Sequence, residues 1–227
     1  MTRTEVLELS EVQAMLGAIN TRYPTGARNH ALLSFMLATG LRCNEALQVV
    51  WEDLREESWR GGRRWVLHVR RETTKGGRVR QPTPLTEAAM RSLERWRRER
   101  ARLRIRGGPL FCTLSRGQAT GYGEGGKLKA GRPLSSAYVR AMVKRVAKDA
   151  GIVRRVHPHM LRHTALTALW DQTHNLRLVQ DVAGHSSSRH TERYTHVHPE
   201  EVAEAMDAIA AWWEGGEAEG EEGRGRG

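Results

Sequence analysis

Apolar residues recur at helical spacing over most of the chain. In the first such segment they lie three and four positions apart, at Val12, Met15, Leu16 and Ile19. Ser10 with Gln13 forms a capping-box pattern, which predicts the start of this helix. Residues 31–39 form an apolar helix that we expect to end near Gly40, because glycine adopts a left-handed cap at little cost. The same periodicity predicts further helices around Thr86–Arg104, Ser135–Ala150, His159–Trp170, Leu176–Ala183 and Glu200–Trp213.

One region instead has the period of a β-strand. From Trp65 to Arg70 every second residue is Trp, Leu or Val, and the Thr-Lys-Gly-Gly sequence at residues 74–77 predicts a turn. Val79 to Pro82 is expected to begin the returning strand, so that the hairpin carries Lys75 near its tip. Many helices with one small antiparallel sheet predict an α+β fold that is mainly α.

Two glycine-rich segments interrupt this pattern. Residues Glu214–Gly227 contain six Gly, five Glu and two Arg, with no large apolar side chain, so we expect a disordered tail. Residues Ser115–Pro133 hold six Gly among basic residues and are expected to form a flexible basic loop. No strong linker divides residues 1–213, which we interpret as one domain.

The charge balance favours a polyanionic partner. The chain has 37 Lys and Arg against 26 Asp and Glu, a net charge of +11, and because the tail carries −3, residues 1–213 carry +14. Such a surface suits nucleic acid or an anionic membrane surface. No run of 18 apolar residues and no signal-peptide pattern occurs, which excludes a membrane span and argues against secretion. Cys43 and Cys112 are too few for a disulfide framework, so we expect the reducing cytoplasm.

Several polar residues stand where predicted helices begin or end, and each taken alone could be an ordinary surface residue. Glu45 follows Arg42 by one helical turn and can hold its guanidinium group. His159 and Arg162 share one helical face. The three histidines at positions 157, 159 and 163 also suggest a metal ion. No His-Glu-x-x-His pattern occurs and no carboxylate or Cys lies at ligand spacing, so a metal site is the weaker interpretation.

Three further residues have both ordinary and chemical interpretations. His185 lies where a histidine commonly satisfies the last carbonyl groups of a helix, and a lone Tyr194 is more typical of core or surface than of a nucleophile. Lys75 is less ordinary, because the chain has five Lys beside 32 Arg. A lysine can release a proton near neutral pH when its pKa is lowered, whereas an arginine cannot.

In this order, these residues resemble the motifs of the tyrosine recombinase (phage integrase) family. The matching phrases are Ala38-Thr39-Gly40-Leu41-Arg42 with Glu45-Ala46-Leu47, Thr74-Lys75-Gly76-Gly77, Pro158-His159-x-Leu161-Arg162-His163, Gly184-His185-Ser186 and Tyr194-Thr195-His196-Val197. The match extends from about Ser10 to Glu201. The resemblance implies the fold of the family's catalytic domain, with catalytic positions at Arg42, Lys75, His159, Arg162, His185 and Tyr194.

The resemblance also implies the roles of these residues. Tyr194 is expected to attack a DNA phosphate and form a 3′-phosphotyrosine bond, with no cofactor or metal ion. Arg42 and Arg162 are expected to bind the non-bridging oxygens, whose charge rises in the transition state. Lys75 is expected to protonate the leaving 5′-oxygen.

The remaining expected roles are supporting ones. His159 is expected to accept or shuttle the tyrosine proton, and His185 to bind a phosphate oxygen. Glu45 is expected to fix Arg42 or His159. Contacts to the DNA backbone are expected from the arginines of the hairpin, Arg70, Arg71, Arg78 and Arg80.

Partners and location follow from the same resemblance. Double-stranded DNA is the expected partner, at the nucleoid in the cytoplasm. A homo-tetramer on DNA is expected through the C-terminal helix, although packing in cis is equally open; its apolar stripe lies at Val202, Met206, Ile209, Trp212 and Trp213. The family's N-terminal core-binding domain is expected to be absent, since the pattern begins within ten residues of Met1.

Two other functions remain open at this point. A type IB topoisomerase-like activity, which relaxes DNA, shares the chemistry but not the pairing of two sites. A non-catalytic DNA-binding module would retain the fold, but it would need a defect that the sequence does not reveal.

Overall fold

The computed structural model describes residues 6–59, 62–74, 77, 80–114, 131–184 and 199–214. Its α-helices are α1 Leu9–Gly17, α2 Pro24–Thr39, α3 Cys43–Ala46, α4 Glu87–Arg102, α5 Ser136–Asp149, α6 Pro158–Thr173, α7 Leu176–Ala183 and α8 Pro199–Glu214. Its strands are β1 Leu54–Trp59, β2 Gly62–Leu67 and β3 Thr83–Pro84. The mainly helical α+β prediction is confirmed. None of the described helices is both long enough and apolar enough to cross a membrane.

Helix α2 forms the centre of the core. It packs against α4 and α6, and Leu32, Leu33, Phe35 and Met36 have no exposed side-chain surface. The helix ends as predicted at Gly40, which has a left-handed φ of 58°. It begins at Pro24, seven residues before the predicted apolar segment, because proline is well suited to the first helical turn. The polar residues of this early part are buried in hydrogen bonds, with Arg28 bonded to Asn29 and to the Cys112 carbonyl.

The cap of the first helix lies two residues before the predicted one, Ser10. The structure places Glu8 at the cap position, and its backbone N–H donates to the carboxylate of Glu11 at 2.8 Å. The Ser10 and Gln13 prediction is therefore wrong in register. Glu11, at the third helical position, accepts the hydrogen bond from the backbone N–H of the cap residue, which was the role predicted for Gln13.

The sheet has three antiparallel strands in the order β1-β2-β3. The returning strand is confirmed but begins at Thr83, after the predicted Val79–Pro82. Strand β1 was not predicted. In β2 both Val66 and Leu67 are buried, so the expected alternation does not hold at this end of the strand. The connection from β2 to β3 carries Lys75, which lies outside the described residues.

Helix α8 packs against its own chain. It contacts α1, α4, α6 and β3, and its residues Val202, Met206, Ile209 and Trp213 are buried. Arg64 of β2 adds a paired bond to Asp207, with distances of 2.7 and 2.6 Å. The structure thus shows the packing in cis that the sequence left open, and docking of this stripe on a neighbouring protomer stays a prediction. The helix also includes Glu214, and the rest of the predicted tail lies outside the described residues.

Candidate active site

The turn after α2 positions Arg42. Beyond Gly40 the chain enters the short helix α3, with Arg42 at the cap position. A Cβ atom on Gly40 would lie 3.3 Å from the side chain of Leu166, so this turn is both left-handed and close to α6. The Arg42 backbone N–H donates to Glu45 Oε2 at 3.0 Å, and its Nη1 donates to Oε1 at 3.1 Å. Glu45 thus holds Arg42 by main chain and side chain together, as the spacing predicted.

Arg162 is buried between the ends of two helices. Its residue surface is 2% exposed. Nη1 donates to the carbonyl of Gly40 at 2.6 Å, at the end of α2, and Nη2 donates to that of Ala183 at 2.8 Å, at the end of α7. A buried guanidinium group of this kind satisfies the last carbonyls of the helices and ties them together.

The electrostatics around Arg162 indicate a crowded cationic centre. Burial, together with the charges of Arg42 and Arg80, lowers the pKa of Arg162 to about 10, and Glu45 partly opposes this shift. The group remains protonated at pH 7. Three guanidinium groups therefore lie within electrostatic reach of one carboxylate, an arrangement that favours binding of an additional anion.

Arg80 is not where the sequence analysis expected it. Its side chain is 3% exposed, and Nη2 donates to Glu45 Oε2 at 2.7 Å. Nη1 donates to the carbonyl of Val182 at 2.7 Å. Burial lowers the pKa of Arg80, and the Glu45 charge opposes this shift. Arg80 is thus an interior residue of the arginine cluster, and its expected place on the DNA-facing surface of the hairpin is wrong.

His159 lies on the exposed side of α6. The helix begins at Pro158, and His157 caps it by accepting from the Met160 N–H at 3.2 Å. The His159 ring makes an edge contact with His163, with centroids 4.3 Å apart. Partial burial lowers the pKa of His159, and the nearby charges of His163 and Arg162 lower it further. His159 is therefore neutral at pH 7 and can accept a proton.

A cleft of about 650 Å³ opens beside the arginine cluster, and neither Arg80 nor Arg162 is among the residues that line it. It is lined by Arg42, Glu45 and His159, and by Thr74, the described neighbour of Lys75. Arg140 and Arg155 also line it and were missed by the sequence analysis. No local motif marks these two arginines, and only the packing of α5 beside α3 brings Arg140 to the cleft.

The arginines of the β2–β3 connection are only partly described. Arg70 pairs with Asp53 at 2.9 Å and donates to the Gln48 carbonyl at 2.6 Å. Arg71 is exposed and donates to the Gly77 carbonyl at 2.6 Å. Four further predicted site residues lie outside the described part of the chain: Lys75, Arg78, His185 and Tyr194. Within the described ranges, no group of His, Cys, Asp and Glu is arranged to hold a metal ion.

Solved structures identify the class of fold. A structure of the XerH site-specific recombinase bound to difH substrate superposes with a TM-score of 0.63 at 28% sequence identity, covering 92% of this chain and 55% of that one. The XerA recombinase has a TM-score of 0.61 at 20% identity, covering 92% and 64%. The fold is thus that of a tyrosine recombinase catalytic domain, as the resemblance predicted.

Sequence comparison places the chain in a family. The model of the phage integrase family matches residues 5–201. Tyrosine recombinase XerC of Xanthomonas campestris pv. campestris (strain B100) is 31% identical over 204 residues, which cover 90% of this chain and 55% of that protein. XerC of Alcanivorax borkumensis is 30% identical over 206 residues, covering 89% and 59%. The chain belongs to the phage integrase family, and it spans about half the length of these relatives.

Proposed function

We propose that this chain is the catalytic domain of a site-specific tyrosine recombinase, which breaks and rejoins DNA through a 3′-phosphotyrosine intermediate. The observation that carries the proposal is the cluster of Arg42, Arg80 and Arg162 around the single carboxylate of Glu45. Its excess of positive charge beside an open cleft is suited to a phosphodiester group. The neutral His159 on the same cleft supplies a proton acceptor.

The chemistry divides between charge and proton transfer. Tyr194 attacks the phosphorus, the bond to the 5′-oxygen breaks, and the phosphotyrosine bond retains the energy needed for resealing. His159 takes the phenolic proton, and Lys75 gives a proton to the leaving 5′-oxygen. Arg42 and Arg162, with His185, neutralise the pentacoordinate transition state.

Double-stranded DNA is the proposed partner. The XerH relative was solved bound to its DNA substrate, and the body of this chain carries a large positive charge. Arg70, Arg71 and Arg78 on the β2–β3 connection would contact backbone phosphates, so binding should weaken steeply with salt. Assembly as a tetramer at the nucleoid belongs to the same proposal. With α8 packed in cis, that assembly requires the helix to move or another surface to be used.

Two alternatives are less well supported. The matched relatives are recombinases, which does not favour the topoisomerase-like activity. The non-catalytic module would have no need of an aligned Arg42–Glu45 pair beside a proton-accepting histidine. Strand exchange between two defined sites separates recombinase from topoisomerase.

The test is capture of a covalent protein–DNA complex. The purified chain is incubated in excess EDTA with a library of nicked duplexes carrying a randomised centre. Complexes that survive denaturing detergent are then isolated and sequenced. We expect covalent complexes with the DNA attached through its 3′-phosphate, because guanidinium groups rather than metal ions stabilise the transition state. If covalent complexes never form, with or without Mg²⁺ or Zn²⁺, the proposed function is wrong; if they form only with added metal, the charge-stabilisation mechanism is wrong.

Cleavage is also expected to lose rate in acid. The pKa of His159 lies below its usual 6.5, mainly because of partial burial, so the acceptor form predominates at pH 7. Below the lowered pKa, the rate of complex formation at saturating DNA should fall about tenfold per pH unit. Stability changes in the same direction, because an unfolded histidine binds its proton at higher pH than the folded one. Rates are therefore normalised to the folded fraction at each pH.

His159→Gln is the variant for this test. Glutamine keeps a polar side chain at the cleft but has no titratable nitrogen. It should be slow at all pH values and should lack the acid limb. An unchanged acid limb in this variant would show that another group controls it.

A further inference from the structure

We propose that Arg80 is a positioning residue for DNA cleavage, which aligns Arg42 with the end of α7 by binding Glu45 and the last carbonyl groups of that helix. The inference rests on the proposed function, since it concerns the same reaction. Arg80 would touch neither DNA nor the reacting atoms.

The contacts of Glu45 support this role. Its Oε1 accepts from Arg42 Nη1 at 3.1 Å. Its Oε2 accepts from Arg80 Nη2 at 2.7 Å and from the Arg42 backbone N–H at 3.0 Å. With both oxygens bound, the plane of the carboxylate is fixed, and with it the direction of the Arg42 guanidinium group. Without Arg80, Oε2 would keep only the backbone bond among these contacts.

The contacts of Arg80 with α7 support the other half of the role. Its Nη1 donates to the Val182 carbonyl at 2.7 Å, and Nη2 also reaches the Ala183 carbonyl at 3.3 Å. Arg162 donates to the same Ala183 carbonyl at 2.8 Å. The end of α7 is therefore held by two arginines of the cluster, immediately before the chain continues to His185.

Gly184 makes room for this arrangement. Its φ of +62° is left-handed, and a Cβ atom there would lie 3.0 Å from Arg80 Nε and 3.1 Å from Cζ. Any other residue would displace the guanidinium group or strain the backbone. The close approach of Arg80 thus accounts for the glycine at position 184, the first residue of the Gly184-His185 motif.

The burial of the Arg80–Glu45 ion pair indicates that the pair fixes the positions of other residues rather than stabilising the fold. The side chains of Arg80 and Glu45 are 3% and 4% exposed. Removing two charges from water offsets much of their attraction, so a buried pair adds little to folding compared with apolar packing. What the pair does supply is a fixed connection between residues that are far apart in sequence, Glu45 on α3 and Val182 on α7.

The principal variant is Arg80→Met, which keeps the length of the side chain and removes its donors. Single-turnover cleavage is measured with a duplex selected from the random library by the parent chain. At saturating DNA we expect the rate to fall about 10²-fold, the size of effect that a small misplacement of reacting groups produces. The dissociation constant for DNA and its salt dependence should change little, because Arg80 is buried.

Arg100→Met is the matched control. Arg100 is also buried, at 3% exposure, and its guanidinium group likewise donates to backbone carbonyls, those of Gly107, Pro109 and Leu110. It lies in α4 and contacts none of the cluster. Loss of a buried arginine should destabilise both variants, as measured by thermal unfolding, but only Arg80→Met should lose cleavage rate per folded molecule.

A second pair of variants tests the route of the effect. Glu45→Gln should also slow cleavage, and combining it with Arg80→Met should cost far less than the product of the two single effects, because Arg80 acts through Glu45. If Arg80→Met does not fold, Arg80→Lys replaces it. One ammonium group cannot span Glu45 and the Val182 carbonyl together, so we expect this variant to be at least about tenfold slow.

The outcomes are distinct. A parent chain that forms no covalent complex contradicts the proposed function itself. If the parent cleaves and the Arg80 variant is equally fast per folded molecule, the positioning role is wrong. The Arg80 variant could instead bind DNA more weakly, with a smaller salt dependence, and cleave at an unchanged rate at saturating DNA. That result would show that Arg80 contacts DNA, and the positioning role would be wrong. Equal rate losses in the Arg80 and Arg100 variants, or fully multiplicative effects with Glu45→Gln, would also overturn the proposal.

Discussion

Tyr194→Phe is expected to abolish covalent attachment of the protein to DNA. The substitution removes one hydroxyl group, which is the proposed nucleophile, and leaves the ring and all charges in place. Non-covalent DNA binding should therefore remain within a small factor of the parent value, since binding rests mainly on phosphate contacts by arginine. The measurement is a denaturing gel of labelled nicked duplex, with a filter-binding titration of the same samples.

Another tyrosine, Tyr138, provides a control for this test. It is half-buried against the core, hydrogen-bonded to Arg28, and does not line the cleft. Tyr138→Phe should still form the covalent complex. A covalent complex formed by Tyr194→Phe would identify a different nucleophile and refute the assignment.

Arg162→Lys is expected to slow cleavage by about 10²–10³-fold, although the charge is kept. Arg162 makes two bonds in different directions, to Gly40 at the end of α2 and to Ala183 at the end of α7. A lysine has a single ammonium group and cannot reproduce this fork while also facing a phosphate. The rate is measured in single turnover at saturating DNA, per folded molecule. A rate within a few-fold of the parent would show that Arg162 is only structural.

Substitution of sulfur for the bridging 5′-oxygen separates Arg162 from Lys75. A thiolate leaves without protonation, so Lys75→Ala should cleave this substrate nearly as fast as the parent chain. Arg162→Lys should remain slow, because charge still develops on the phosphate. Rescue of both variants, or of neither, would contradict the general-acid role of Lys75.

The helices were largely predictable because their signals are local. Apolar spacing placed α4 to α8 within a few residues of their observed bounds, and Gly40 ended α2 as expected. Strand β1 was not predictable in this way. It reads Leu-Arg-Glu-Glu-Ser-Trp and lies at the edge of the sheet, so it shows no apolar alternation and is defined by its pairing with β2.

The features of the site likewise divide into those set by local sequence and those set by tertiary packing. Sequence alone identified the family motifs and the Arg42–Glu45 pair one helical turn apart, since each of these depends on short spacing or ordered phrases. Because Arg80 is close in sequence to the other arginines of the hairpin, the sequence analysis predicted that it would contact DNA with them. The structure instead places it inside, against Glu45, which is 35 positions away, and Val182, which is 102 positions away.

Tertiary structure alone decided three further features. It buried Arg80, brought Arg140 to the cleft and packed the apolar stripe of α8 in cis. The physical reason is that hydrophobic periodicity states which face of an element is buried but not against what. The partner of a long polar side chain is likewise set by the packing of elements distant in sequence, and a buried arginine must find its acceptors wherever that packing places them.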